Sequence, residues 1–522
     1  MNSITSASEL PQPPGDVTRA LRTTQSMIYP LQYLRAAAAF CVVLCHASYY
    51  VSQARGDSRM WEIFARAGTL GVFLFFAISG YLMAHLAENA SGMRFLVHRL
   101  IRIYPIYWLC IFAVIAISYV FGNSVRPDLF ALLLVPGVTR AYVLGVEWTL
   151  PFELTFYLIV FAVIITGLRK FVPALALVWF LVIELFLVIR PGLQQGQFPM
   201  LLHLPFSQYS LPFAAGLLVP FAVRRGWIGP ATPLLAIAML VATEAAASIG
   251  LGWSSGLMAL GCVLLVATAV QSGHTSKASP NLPLLALGDW SYALYLCHVP
   301  IIRALCWAIP LSISSMQLWF AALGAPIVVA VLVGKIDLAM YRKLKLWVDR
   351  SSAKTRAVLG LAFILSIISI SAYSYVRVIR MQKTFAQTSA MAAKILAAMG
   401  ADETKLSFAA KAAGLHQNDA LVGSFDHIYQ SDKNIRVQGW AASNVSAQTT
   451  VRVMVFHCGR YLGVVFPQDS RPDVAALLKQ GGNDHYGLNA EVSAQAPCES
   501  DSVDGLITSN DGGFSIIHGH LQ

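Results

Sequence analysis

Apolar runs of about helix-spanning length, separated by short polar or basic breaks, follow one another from Leu31 to about Tyr375. An α-helix needs ~20 such residues to cross a bilayer, so the pattern predicts a polytopic helical membrane protein. Eleven candidate spans begin near Leu31, Leu70, Ile103, Trp148, Phe171, Phe206, Pro230, Ser254, Leu287, Leu318 and Val358, so the expected fold is a bundle of about 10–11 transmembrane helices. The stretch from Asp128 to Gly145 is short and broken by Pro136, Gly137 and Arg140, and is expected as an interfacial or re-entrant piece. After Tyr375 the period changes. An Ala-rich, Pro-free segment up to Gly414 favours helix, broken near Gly400, and reads as a stalk. Short β-like runs follow, NIRVQGWAAS, TTVRVMVF and RYLGVVF, bounded by Asn, Ser, Gly and Asp, and predict a small all-β, sandwich-like domain. The expected domains are therefore a disordered tail over 1–27, a membrane domain over 28–375, a helical stalk over 376–414 and a β-domain over 415–522.

Composition excludes an ordinary soluble enzyme: the chain is 57% hydrophobic and 12% charged, with a mean hydropathy of +0.62. Charge then orients it. With the N-terminus inside, the inner segments carry seventeen Lys and Arg and the outer loops six, which places the N-terminus in the cytoplasm and the C-terminal domain outside. Up to Tyr375 the net charge is +12, whereas the remainder has −1. A basic excess confined to the membrane part fits anionic lipid or an anionic cytoplasmic substrate and argues against nucleic acid. Six cysteines lie in or beside apolar spans, where they act as small hydrophobes; Cys458 and Cys498 alone occupy the tail and are either a disulfide or two unrelated thiols. No zinc-like spacing is present, and no metal or bound cofactor is expected.

Polar residues inside the spans are few. The stretch RAAAAFCVVLCH opens with Arg35 and closes with His46. Eleven residues make almost three turns, so both side chains share one helix face, roughly 16 Å apart along the axis. A charge at bilayer depth costs at least ~2.5 kcal/mol and faces a partner or a task. The other interruptions are Ser79-Gly80-Tyr81, the basic pair Arg99 and Arg102, Glu153 in EWTLPFELTFYL, and His298 in SYALYLCHVP.

In order along the chain these segments resemble the motifs of the acyltransferase-3 membrane family, which O-acylates sugars of surface polysaccharides, lipopolysaccharide, peptidoglycan and small glycosides. The matching pieces are R-x10-H at Arg35 and His46, the run from Phe75 to Leu82, R-x-x-R-I-Y-P-x-Y-W from Arg99 to Trp108, the piece from Trp148 to Tyr157, and that from Ser291 to Pro300. At Pro151, Phe152 and Leu154 the sequence departs from the family's usual Ser-Val-Glu-Glu, leaving Glu153 as the one carboxylate for that role. The tail resembles small β-modules with a Gly-Trp-Ala core and an R-P-D-V segment, here Gly439 to Ala441 and Arg471 to Val474. Trp440 is expected to fill the core, with sugar stacking as the competing role.

The resemblance implies a membrane O-acyltransferase of the bacterial inner membrane, with the C-terminal domain in the periplasm. Acyl-CoA, most simply acetyl-CoA, would be the donor, and a polysaccharide, lipopolysaccharide or lipid-linked sugar the acceptor. His46 is the expected general base, since imidazole titrates near neutral pH, with Glu153 hydrogen-bonded to its other nitrogen; His46 as an acylated nucleophile is the alternative. Arg35, Arg99 and Arg102 suit donor phosphates. Ser79, Tyr81, Trp148, Tyr157, Tyr292, Tyr295 and His298 are expected to complete the donor and acceptor contacts. Two other readings compete: a transporter or flippase using the same residues as a path, and an assembly protein whose tail does the work.

Overall fold

The computed structural model describes residues 28–121, 129–135, 142–189, 201–248, 253–275, 281–399, 406–431, 434–445, 451–467, 469–478, 485–493, 501–509 and 511–521. The tail over 1–27, the expected break at Gly400 and Cys498 lie outside the described residues. The chain divides into two units, Met1–Tyr375 and Val376–Gln522.

Among the described residues of the first unit the regular structure is helical. Its main helices are α1 (Tyr29–Arg55), α2 (Ala67–Asn89), α3 (Gly92–Val120), α4 (Leu150–Ile165), α5 (Val172–Ile189), α6 (Leu211–Gly216), α7 (Val219–Arg224), α8 (Thr232–Ser248), α9 (Ser254–Thr275), α10 (Leu282–Asp289), α11 (Ser291–Ala308) and α12 (Ser315–Arg350). A thirteenth, α13 (Ala353–Met399), runs past Tyr375. Eight of the described helices are long and apolar enough to cross a membrane, so this is a multi-pass membrane protein. The other three expected spans are also helical. They are α8, of 17 residues, α6 and α7 with a turn between them, and α11, in which polar residues interrupt the apolar surface. The expected interfacial piece contains one short helix, Leu129–Leu132, onto whose turn Tyr107 and Trp108 of α3 donate hydrogen bonds at Ala131 and Leu132 carbonyls (2.6 and 2.9 Å).

Two packing features hold the site. Gly80 of α2 and Gly216 of α6 face each other so closely that a Cβ on either would meet the other helix's backbone, at the carbonyl oxygens of Phe213 and Ala77 respectively. Small residues at such a crossing let helices approach where apolar burial alone gives no drive, and this is what Gly80 does in the run FFAISGYL. The second feature is an aromatic cluster of Phe152, Phe156, Trp179, Tyr209 and Phe213, in which Phe156 and Phe213 stack at 4.0 Å. It joins α4, α5 and α6.

The second unit is a two-layer β structure. One sheet has the order β1-β9-β8-β4-β5 and the other β2-β3-β7-β6, with β1 (His416–Gln417), β2 (Leu421–Ser431), β3 (Asn434–Ser443), β4 (Val451–His457), β5 (Arg460–Val465), β6 (Asp469–Ser470), β7 (His485–Ser493), β8 (Ser502–Ser509) and β9 (Gly513–His520). Alternation along β4 explains both of its faces. Val451, Val453 and Val455 point between the sheets, whereas Met454 and Phe456 point outward and are covered by Ala392 and Ile395 of α13 and by Leu406, Ala409 and Ala410 of α14 (Leu406–Ala412). The Ala-rich segment read as a stalk thus contributes small side chains that pack flat on a sheet. Trp440, half-buried, packs against Ala442, Val474 and Tyr486. Arg471 links the two tail motifs: it donates to the Asp426 and Asp473 carboxylates (2.6 and 2.8 Å) and to the Gly439 carbonyl (3.4 Å). That guanidinium holds the Asp473 carboxyl down at about 2. Cys458 is disulfide-bonded.

Candidate functional site

A cavity of about 180 Å³ opens within the helical unit, walled by α1, α2, α3, α4 and α11. Eight residues singled out in the sequence meet there: Arg35, Ser79, Arg99, Arg102, Glu153, Tyr157, Tyr292 and Tyr295. Helical spacing explains the convergence, because Arg99 and Arg102, Glu153 and Tyr157, and Tyr292 and Tyr295 are each three or four apart and so share a face.

The cations are distributed unequally. Arg102 is committed: its guanidinium donates to Asp337 of α12 at 2.8 Å and lies over the rings of Tyr292 and Tyr341 at 5.2 and 5.5 Å. Asp337, only 2% exposed, is the carboxylate that makes this possible. Arg35 donates weakly to Gln32 at 3.3 Å, and Arg99 lies over the Tyr157 ring at 5.8 Å. The Arg99 Nε and the Ser291 hydroxyl are buried without a hydrogen-bond partner among the described residues. Glu153 accepts from the Tyr157 hydroxyl and lies within electrostatic reach of all three guanidinium groups. With Arg102 paired, Arg35 and Arg99 face the one remaining carboxylate, Glu153, and the unpartnered Arg99 Nε and Ser291 hydroxyl add free donors, which is the chemistry of an anion site.

His46 lies beyond the cavity, behind Tyr295. The Tyr295 hydroxyl donates to the Val146 carbonyl at 2.6 Å and is 2.6 Å from the Thr149 hydroxyl. One turn further along α11, His298 is fully buried and its Nε2 is 3.2 Å from His46 Nδ1. His298 Nδ1 lies 3.1 and 2.7 Å from the carbonyl oxygens of Leu294 and Tyr295. Carbonyls only accept, so His298 Nδ1 carries the hydrogen, and in the neutral ring Nε2 is then an acceptor. His46 Nδ1 therefore donates, toward His298 Nε2 and the Val42 carbonyl at 3.0 Å. That tautomer leaves the lone pair on His46 Nε2, which has no partner among the described residues.

This corrects the expected support for His46. Glu153 is not hydrogen-bonded to it; the ring partner is another histidine. The reason is depth: Glu153 stands at the Arg35 end of the cavity, and roughly 16 Å of helix separates Arg35 from His46. Three further expectations change. Tyr81, 7% exposed, packs in an apolar cluster with Ile78, Ile183 and Ala215, because a step of two residues from Ser79 turns it to the far side of α2. Trp148 packs edge-on against Tyr209 at 4.9 Å and does not line the cavity. His298 belongs with His46 rather than with the cavity wall.

Glu147 and Asp337 were not singled out in the sequence. Glu147 is fully buried, and its carboxylate accepts from the backbone N–H groups of Leu144 and Val146 (2.6 and 3.0 Å). It thereby fixes the turn that supplies the Val146 carbonyl to Tyr295. Gly145, with φ +82° in that turn, sits against Val299, where a Cβ would be both strained and crowded. The signal for both acids was an isolated carboxylate within or beside an apolar run, the rule that drew attention to Glu153.

Residues 28–335 match the family model described as an acyltransferase domain. A similar protein is the exopolysaccharide production protein ExoZ of Rhizobium meliloti (strain 1021), 27% identical over 318 residues, a stretch covering 56% of this chain and 94% of that protein. No solved structure matches the chain.

Proposed function

Since the chain belongs to the acyltransferase-3 family and is a membrane acyltransferase, we propose that it moves an acyl group, acetyl in the simplest case, from acyl-CoA to a hydroxyl of a surface or lipid-linked glycan. The polysaccharide acceptor rests on the similarity to a protein of exopolysaccharide production. The observation that carries the mechanism is the His46–His298 pair, in which a carbonyl-anchored histidine leaves the other with a bare Nε2.

In this reading the CoA phosphates are held by Arg99 and Arg35, with Arg102 fixed by Asp337 as part of the wall. Glu153 and Tyr157 keep the arginines in place. His46 Nε2 removes the glycan hydroxyl proton as the oxygen attacks the thioester carbonyl. The C–S bond then breaks, and the proton on His46 passes to the departing thiolate to give free CoA thiol. His298 does what a carboxylate does in other triads: it fixes the tautomer and orientation of the base. The excess of basic residues in the loops on the N-terminal side supports a cytoplasmic N-terminus in a bacterial inner membrane.

The test is incorporation of labelled acetyl from acetyl-CoA into surface glycan by membranes carrying the native protein or His46→Ala at matched levels. Label with the native protein alone is the expected result; equal label from both would remove His46 from the chemistry.

A further inference from the structure

A second hollow of about 490 Å³ lies between α4 and α5. Its lining is apolar almost throughout, with Ala87 of α2, Val160 and Val163 of α4, and Leu175 and Trp179 of α5 among the wall residues. Small residues on α2 and branched ones on α4 leave a slot rather than a packed seam. The Trp179 indole, which would otherwise present a polar edge to it, donates to the Pro205 carbonyl at 2.7 Å.

One end of this slot is strongly cationic. Leu168, which lines it, begins the turn Leu168–Phe171 that carries Arg169 and Lys170. Arg169 donates to the carbonyls of Glu88 and Ala90 at the end of α2 (3.3 and 2.6 Å). Arg224, from the end of α7, pairs with the Glu88 carboxylate at 2.7 Å. Both basic turns therefore converge on Glu88, the residue next to Ala87 in the slot wall. Arg169 and Arg224 are used in this way. Lys170 and Arg225 are not: among the described residues neither has a carboxylate partner, and each only lies 5.0 Å from the ring of a phenylalanine in its own turn, Phe171 and Phe221.

We propose that this slot binds one anionic phospholipid, an acyl chain between α4 and α5 and the phosphate against Lys170 and Arg225. An apolar slot open to hydrocarbon takes a chain, and two uncompensated cations at its polar end select a phosphate without a balancing positive charge. Near a membrane surface each such cation contributes attraction for anionic lipid. The bound chain lies against α2 and α4, the helices that carry Ser79, Glu153 and Tyr157, so the lipid is a wall of the enzyme rather than one of its substrates.

The full-length protein in detergent can be examined by native mass spectrometry with phosphatidylglycerol and with phosphatidylcholine of the same chains. One phosphatidylglycerol should survive the activation that strips phosphatidylcholine. The double variant Lys170→Gln with Arg225→Gln should lower its retention about thirtyfold, the size expected from losing two cation–phosphate contacts. Val163→Trp, which fills the slot while keeping both cations, should lower it as well. Equal retention of the two lipids by the native protein overturns the headgroup assignment. Native-like phosphatidylglycerol retention by the double variant or by Val163→Trp overturns the site. None of these readings depends on acyl transfer.

Discussion

His46 illustrates how far residue identity leads and where it stops. An imidazole eleven positions after an arginine, inside an apolar run, marks a site because lipid tolerates neither without a reason. What the run cannot specify is the ring's partner, since that comes from a helix some 250 residues later. The carboxylate expected there is engaged with Tyr157, and His298 takes its place. Replacing His298 therefore separates orientation from chemistry. His298→Ala should lower kcat by roughly 10²–10⁴, the range associated with general base catalysis, with little change in KM for acyl-CoA. His298→Gln, whose amide can still accept from His46 Nδ1, should recover part of that loss, a rescue that a merely space-filling role would not give. The rate should rise with pH and level off once the base is neutral, the imidazolium having no lone pair to offer; in His298→Ala the midpoint of that rise should move. Unchanged kcat and an unchanged profile in His298→Ala would exclude the pairing.

At the scale of elements, the positions of the apolar runs foretold the helices well, because membrane thickness and backbone satisfaction leave few alternatives. The β-strands of the second unit were equally visible in period-two runs such as TTVRVMVF. Contacts between helices were less visible. Arg102 read as a donor-phosphate ligand, but its charge is met by Asp337, on a helix that no local pattern connects to it. A buried pair of this kind is expensive to break and cheap to replace. Asp337→Ala should destabilise the protein by about 3–5 kcal/mol, seen as a lowered melting temperature in detergent. Joint replacement by Arg102→Met and Asp337→Leu should restore most of it. If the double variant is stable and still binds CoA, Arg102 is a wall residue as argued; if it is stable but no longer binds CoA, Arg102 touches the donor. A melting temperature unchanged by Asp337→Ala would show that the pair carries no structural weight.

For the whole molecule, the division of charge is the feature that ties architecture to use. The membrane unit carries the entire net positive charge, and it concentrates cations at the cavity and at the α2–α7 edge. The second unit is nearly neutral and closes its own cores through α13, α14 and the Arg471 links between strands. Composition showed this division before any contact was known; the separation of the cavity from the histidine pair by Tyr295 could not be read from composition or periodicity, since it depends on how side chains of different helices meet. That separation is the core of the proposed mechanism, in which Arg35, Arg99 and Glu153 serve donor binding and His46 serves transfer. The direct test measures both on purified protein, CoA affinity by calorimetry and single-turnover acetyl transfer to glycan acceptor, for native protein and His46→Ala. The account predicts native CoA affinity together with transfer reduced by at least about two orders of magnitude. Native transfer by His46→Ala, or loss of CoA affinity in step with transfer, would contradict it.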